Sequence, residues 1–275
     1  MNYSGYGFAK RGAPLQLIAN LIKMKGKGVK IGTVFHELYA SGPYYSSAFW
    51  LSGLQKFIAS SIAKLSDFIL TNREQSREWL KKQNNKINIG CLSVFSNVGE
   101  TDTFNIQKEK KIIIFGTSEV RQRTYQAIGE HLFDWAQKNN FLIEDIGTKI
   151  SNEALRQIFI KNNHLWKEYG RLSTVEIADH LQNASYGLVS YPINYITKSG
   201  IFAAYCAFGL CPVVLDKSMG AYKTDIFLTQ LPEHSTVELS LSVGKNAWEY
   251  YRHFSISKTV DYLLTQANAQ SKNRN

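Results

Sequence analysis

Four stretches of the chain carry residue types that can handle an anion or a sugar. In Thr33-Val34-Phe35-His36-Glu37 an apolar run ends on an imidazole and a carboxylate. The histidine can donate to a sugar hydroxyl or a phosphate oxygen, and Glu37 can accept from a hydroxyl. Phe115-Gly116-Thr117-Ser118 leads to Arg121 and Arg123. Small residues there let amides approach an anion where a helix begins, and an arginine fork matches phosphate oxygens. Thr197-Lys198-Ser199-Gly200-Ile201 puts a lysine, a hydroxyl and a glycine at an expected helix start, which suits a diphosphate. Lys10-Arg11-Gly12, in a glycine-rich opening that runs to Pro14, offers a basic loop facing an anion or an acceptor. Each stretch also admits a plainer reading: a satisfied core histidine, ordinary tight turns, and a flexible chain start.

The elements that must position these residues alternate. Leu15, Ile18, Ala19 and Ile22 recur at helical spacing, glycines at 26 and 28 break the pattern, and the β-branched run from Val29 to Phe35 follows. The spacing predicts a helix over 49–65, a short strand over 67–70 and a capping box at Thr71 and Glu74. A further strand is expected at 89–95, and the polar run 96–103 marks a boundary. The alternation restarts with strand 111–115, a helix carrying Tyr125, Ile128, Leu132 and Trp135, and strand 141–146. A helix with Leu155, Ile158 and Phe159 and a strand near 166–169 come next. Ser173 and Glu176 form a second capping box, before strand 186–191, helix 199–208 and strand 211–215. Strands separated by helices of this length imply right-handed crossovers and parallel sheets. The last segment is amphipathic through Leu264, and a polar disordered tail is expected from 268.

Composition narrows the function classes. The 275 residues include three cysteines, Cys91, Cys206 and Cys211, with neither the number nor the spacing for a disulfide framework or a CxxC site. Reduced thiols and a cytoplasmic location are expected. No run approaches the roughly 18 apolar residues of a membrane span. The formal charge is +10, and Lys10, Arg11, Lys23, Lys25, Lys27 and Lys30 precede the first acid, Glu37. Such a surface attracts nucleotide diphosphates, nucleic acid or acidic lipid. No zinc-ligand spacing or RNA-recognition signature accompanies the charge, so nucleic acid is not expected. GxSxG, the Walker pattern and a full GxGxxG are also missing.

Three N-terminal segments resemble signatures of the group 1 glycosyltransferases of GT-B fold: Phe35-His36-Glu37-Leu38-Tyr39-Ala40-Ser41-Gly42-Pro43, Leu65-Ser66-Asp67-Phe68-Ile69-Leu70-Thr71 and 94–100. Gly170-Arg171-Leu172-Ser173 and 199–209 resemble their donor-binding domain. The resemblance implies an α/β protein of two Rossmann-like domains, the N-terminal one incomplete. It divides the chain into 1–100, 108–267 and the tail 268–275, with entry on a loop and a helix in place of an opening strand. It further implies a hexosyltransferase-like enzyme, retaining and metal-independent. Such an enzyme uses a nucleotide diphosphate sugar as donor substrate, no cofactor, and a glycan or lipid-linked acceptor.

On the same resemblance, His36 and Glu37 are the catalytic candidates. Gly116, Thr117, Arg121, Arg123, Lys198, Ser199, Gly200 and Ile201 are the donor-binding ones, and Lys10, Arg11 and Gly12 face the acceptor. Residues 248–254 are expected to brace the N-terminal domain. The basic segment 23–30 is expected to give peripheral contact with an acidic membrane on its inner face. Many members carry two glutamates where Ile196 and Ala204 stand here. Neither side chain can hydrogen-bond a sugar or ribose, so a catalytically silent nucleotide-sugar-binding or scaffold protein is the alternative, and an epimerase of the same fold a third reading.

Overall fold

The computed structural model describes residues 1–40, 45, 47–216 and 224–272. Ser41, Gly42 and Pro43 of the resemblance and residues 273–275 of the expected tail lie outside the described residues. The chain divides into two compact units, Val94–Ile256 and the remainder, Met1–Ser93 with the described residues from Ser257 onward.

The first unit runs β1 (Asn2–Tyr3), α1 (Gly5–Phe8), α2 (Leu15–Gly26), β2 (Gly32–Phe35), α3 (Ser47–Leu65), β3 (Phe68–Thr71), α4 (Glu74–Gln83), β4 (Ile89–Cys91). Its strands form a parallel sheet in the order β1-β2-β3-β4. Right-handed crossovers between strands that are neighbours in sequence and in space put α2, α3 and α4 on one face. There α3 buries Ile58, Ala59, Ile62 and Ala63 in a core shared with Phe35, Ile69 and Leu80.

The second unit runs β5 (Glu109–Phe115), α5 (Ser118–Ile128), α6 (His131–Asn139), β6 (Leu142–Ile146), α7 (Glu153–Lys161), β7 (Trp166–Gly170), α8 (Thr174–Asn183), β8 (Ala184–Ser190), a 3-10 turn (Ile193–Lys198), α9 (Gly200–Ala207), β9 (Cys211–Leu215), α10 (Val237–Arg252). The parallel sheet has the order β7-β6-β5-β8-β9. Ile112, Ile114 and Ile143 on the strands meet Tyr125, Leu132 and Trp135 from α5 and α6 in one core. The helix α11 (Ile256–Lys272) leads back to the first unit, where Tyr262 Oη donates to the Ile69 carbonyl at 3.1 Å. The Tyr262 ring leaves no room for a side chain at Gly90: a Cβ there would lie 2.4 Å from it.

Several expectations need correction. The chain opens on a strand: Asn2 and Tyr3 pair with Val34 and Phe35, too short a run to leave any periodicity in the sequence. Thr71 does not cap α4, because its hydroxyl is buried in the sheet and donates to the Phe35 carbonyl at 3.1 Å. That helix starts from an extended Arg73 with no side-chain cap. Ser173 does cap α8, with the reciprocal Glu176 contact of a full capping box. The linker from Val94 belongs to the second unit, held by Tyr251, whose hydroxyl accepts from the Ser96 amide (3.0 Å) and donates to Glu100 (2.6 Å). Tyr251 and Phe254 are therefore core residues of the second unit, and α11 makes the return expected of 248–254. The polar residues from 268 continue α11 to Lys272.

Candidate functional site

In the second sheet the strand order reverses between β5 and β8: β6 and β7 lie to one side, β9 to the other. Open parallel sheets bind ligands at the carboxyl ends of strands beside such a switch point. The two loops there are the β5–α5 junction, with Gly116 and Thr117, and the β8–α9 junction, with Lys198, Ser199, Gly200 and Ile201. They touch: a Cβ on Gly116 would come within 2.6 Å of Ile201 Cδ1. Gly116 also has a φ of +128°, so glycine is required twice over. Two sequence-distant candidate loops thus meet at one place.

Their chemistry differs. Arg121 is fully buried, one turn into α5. Its guanidinium forms an ion pair with Asp145, donates to the Thr148 carbonyl, and reaches the Gly116 carbonyl at 3.2 Å. Tyr125 Oη donates to the second Asp145 oxygen at 2.8 Å and accepts from Trp166 Nε1 at 2.9 Å. Burial pushes the Asp145 carboxyl up to about 6, against the pull of Arg121 and the Tyr125 hydroxyl. Arg121 is consumed by this internal network and is not available to a phosphate. This corrects the expectation that it binds the donor. Arg123 is exposed, about 200° further round the same helix.

The start of α5 is already occupied by a negative charge. Its own backbone amide and the nearby Thr117 and Ser118 hydroxyls hold the Glu119 carboxyl, in the first turn of α5, below the usual carboxylate range. Ser118 Oγ lies 3.1 Å from it. A phosphate approaching that helix end would meet a carboxylate satisfying the same dipole.

The start of α9 has no such occupant. Ser199 is buried and extended, and its hydroxyl accepts from the Phe202 amide at 3.1 Å. No acid stands in the first turn. Among the described residues the amides of Gly200 and Ile201 meet no protein acceptor, and both residues are partly solvent-exposed. Lys198 is half-buried just before them, its Nζ 6.0 Å from the centroid of the Tyr195 ring. Asp216, after β9, accepts from the Ile193 amide at 2.8 Å and pins the 3-10 turn that carries this lysine.

Asn97 escaped the sequence reading. Its Oδ1 would be 3.8 Å from a Cβ on Gly200, and its strand of linker is fixed there by the Val94 amide, which donates to the Thr197 carbonyl at 2.9 Å. Only its place in the polar run 96–103 hinted at it.

Ile196 and Ala204, where the resemblance expects glutamates, are apolar and enclosed: Ile196 is 8% exposed and Ala204 is fully buried.

In the first unit the carboxyl ends of β1 and β2 bring another group of candidates together. His36 Nε2 lies 3.1 Å from Asn2 Oδ1, and Glu37 accepts from Ser4 Oγ at 3.2 Å. The glycine-rich loop after β1 is held by Gln55, a buried residue of α3 that the sequence reading missed. Its Nε2 donates to the Arg11 carbonyl at 3.0 Å while its Oε1 accepts from the Ala40 amide at 2.7 Å. Lys10 and Arg11 stay exposed on that loop and Gly12 is buried. The chain start is thus a braced loop between β1 and α2, and the side chain that braces it comes from a helix more than forty residues away.

No family profile matches the chain, and no curated protein matches it in sequence. Solved structures do match. A variant of TarM from S. aureus, in complex with fondaparinux, alpha-GlcNAc-glycerol and UDP, is 14% identical, with 90% of this chain and 53% of that chain covered and a TM-score of 0.56. The pneumococcal O-GlcNAc transferase GtfA, in complex with UDP and GlcNAc, is 9% identical, with 91% and 54% covered and a TM-score of 0.54. Anabaena HepE, in complex with UDP-glucose, is 12% identical, with 93% and 76% covered and a TM-score of 0.51. The chain spans about half the length of the first two. In fold, the chain is similar to GT-B glycosyltransferases: two Rossmann-like units, built on parallel sheets of four and five strands.

Proposed function

We propose that this chain is part of a glycosyltransferase that binds a nucleotide diphosphate sugar at the switch point of its second sheet. The observation that carries this reading is the open start of α9, with two unaccepted amides, no acid in its first turn and Lys198 at its threshold. Amides at a helix start and a lysine are the groups a diphosphate needs, and they stabilise it best as it departs. Ser199 fixes the geometry of that turn. Gly200 and Ile201 supply the amides, and the Thr117 hydroxyl and the Asn97 amide are the neighbouring polar groups for the sugar. His36 and Glu37 are proposed as the catalytic pair on the first unit, and Lys10, Arg11 and Gly12 as its acceptor-facing loop. The reaction so drawn is retaining and uses no metal. That similar folds hold UDP or UDP-glucose supports a uridine nucleotide as the first donor to try.

A second reading, a binding module without turnover, rests on one observation: apolar, enclosed Ile196 and Ala204 where the resemblance places glutamates. Incubation with radiolabelled UDP-, GDP- and ADP-sugars separates the two. Released or transferred sugar establishes the enzyme, whereas calorimetric binding without turnover establishes the module. If none of the nucleotides binds, both fall.

A further inference from the structure

The helix α3 has two apolar faces, and the glycosyl-transfer reading uses neither. At about 100° per residue, Ile58, Ala59, Ile62 and Ala63 share the side packed on the first sheet. Trp50, Leu54 and Phe57 form a stripe at i, i+4 and i+7 on the opposite side. They are 76%, 36% and 59% exposed, and Phe49 stacks edge-on against Trp50 with ring centroids 5.6 Å apart. The sheet order puts α2, α3 and α4 in one layer, so the outer side of α3 faces away from the strands. An exposed tryptophan and phenylalanine aligned along one helix are uncommon on a surface that meets only water.

The surroundings of the stripe are basic. Residues 1–66 contain eight Lys and Arg against a single acid, Glu37, and neither α2 nor α3 contains an acid. Not every lysine is available. Lys25 and Lys30 pair with Asp67 at 2.7 and 3.7 Å. Burial alone would raise that carboxyl, but the Ile31 amide and the two lysines hold it below its usual range. The segment 23–30 is therefore only partly an electrostatic surface, with Lys23 and Lys27 exposed on it. On α3, Lys56 and Lys64 are exposed, and Lys64 continues the line of the stripe.

We propose that the outer face of α3 docks on a bilayer bearing acidic headgroups, with Trp50, Leu54 and Phe57 entering the headgroup layer and the lysines of α2 and α3 facing the lipid phosphates. Aromatic side chains with a polar edge favour that depth, and each nearby lysine adds attraction to an anionic surface. Among the described residues no helix is long and apolar enough to cross a membrane, so the contact is that of a helix lying on the surface. A second copy of the chain fits less well, because docking face to face would bring together two pairs of helices, α2 and α3, that carry lysines and no acid. The inference is independent of the donor site, which lies on the other unit.

The test uses the full chain with vesicles of phosphatidylcholine, with and without phosphatidylglycerol. Retention on the acidic vesicles at low salt is expected, with loss at high salt and little binding to phosphatidylcholine alone. Lipids brominated near the headgroup should quench tryptophan fluorescence, and Trp50→Phe should remove most of that quenching although four other tryptophans remain. The double variant Trp50→Ser with Phe57→Ser should lose at least about tenfold in retention. Its thermal unfolding should be unchanged, since both side chains point away from the core. Lys23→Glu with Lys27→Glu, which leaves the apolar stripe intact, should weaken retention too. Equal retention of the Trp50/Phe57 variant and the parent, or quenching that survives Trp50→Phe, overturns the proposal. So does a self-association in solution that the same double variant abolishes, because the stripe would then belong to a second copy.

Discussion

The two junctions that flank the switch point of the second sheet look alike in sequence, and they differ in structure. Each follows a buried strand, opens a helix, and combines small residues with a nearby cation. At the β5–α5 junction the cation is turned inward to Asp145 and an acid, Glu119, stands in the first turn of the helix. At the β8–α9 junction the cap is a neutral serine, the first turn has no acid, and a half-buried lysine stands just before the helix. A helix end binds an anion only when its own side chains have left it unsatisfied. The two junctions therefore differ in whether an acid of the chain already stands at the helix start, and that difference is what the proposed donor site rests on.

The sharpest way to break this comparison is Arg121→Ala. If Arg121 is structural, its loss leaves Asp145 buried without its partner and costs about 3–5 kcal/mol of stability. Denaturant unfolding should show that loss, while the molecules that remain folded bind UDP with parent affinity. A selective loss of UDP binding at parent stability would return Arg121 to the donor site.

Lys198→Ala is the converse. It should weaken UDP binding by about ten- to a hundredfold, the worth of a hydrogen bond to a charged group, and cost clearly less stability than Arg121→Ala, about 1 kcal/mol, since it weakens the contact with the Tyr195 ring. Calorimetric titration of the nucleotide together with thermal melting reads both.

The far end of α9 offers a pH test. Lys108 Nζ donates to the carbonyls of Gln182 and Phe208, the latter at the helix terminus, at 3.0 and 2.8 Å. Burial lowers its pKa from 10.5 to about 8. Below that value the folded and unfolded chains both carry the proton. Between it and 10.5 only the unfolded chain does, so this group's contribution to stability rises with pH across that window. Relative to Lys108→Met, the parent should gain up to about 2 kcal/mol from one end of the window to the other, once partial exposure is allowed for. Parallel stability curves for the two proteins would show that this lysine titrates alike in both states.

The smallest effect is expected from Glu119→Gln. A bound anion at the start of α5 would gain affinity when the carboxylate is removed. A change in UDP affinity of less than about twofold is expected instead, because the proposal puts the ligand at the other junction. A marked gain would move the site to β5–α5.

Much of this was legible from local patterns. The alternation of strands and helices, the Ser173 capping box and the Ser199 helix start were readable because apolar period and capping act over a few residues. The same logic failed at Thr71, where a buried strand claimed the hydroxyl that a capping box needs. It failed again at β1, whose two residues exist as a strand only because Val34 and Phe35 pair with them. Gln55, which holds two loops, sits in α3 with no local sign of its role.

The sequence by itself determined which residues lie at the carboxyl ends of strands, and hence the short set of loops that can bind a ligand. It did so because backbone periodicity is a property of neighbours along the chain. Only the tertiary structure decided which cations near them or elsewhere are held by an acid. Arg121 meets Asp145 across 24 positions, and Lys25 meets Asp67 across 42. Charge pairing acts through space, so a basic residue's role is fixed by the acid that folding sets beside it.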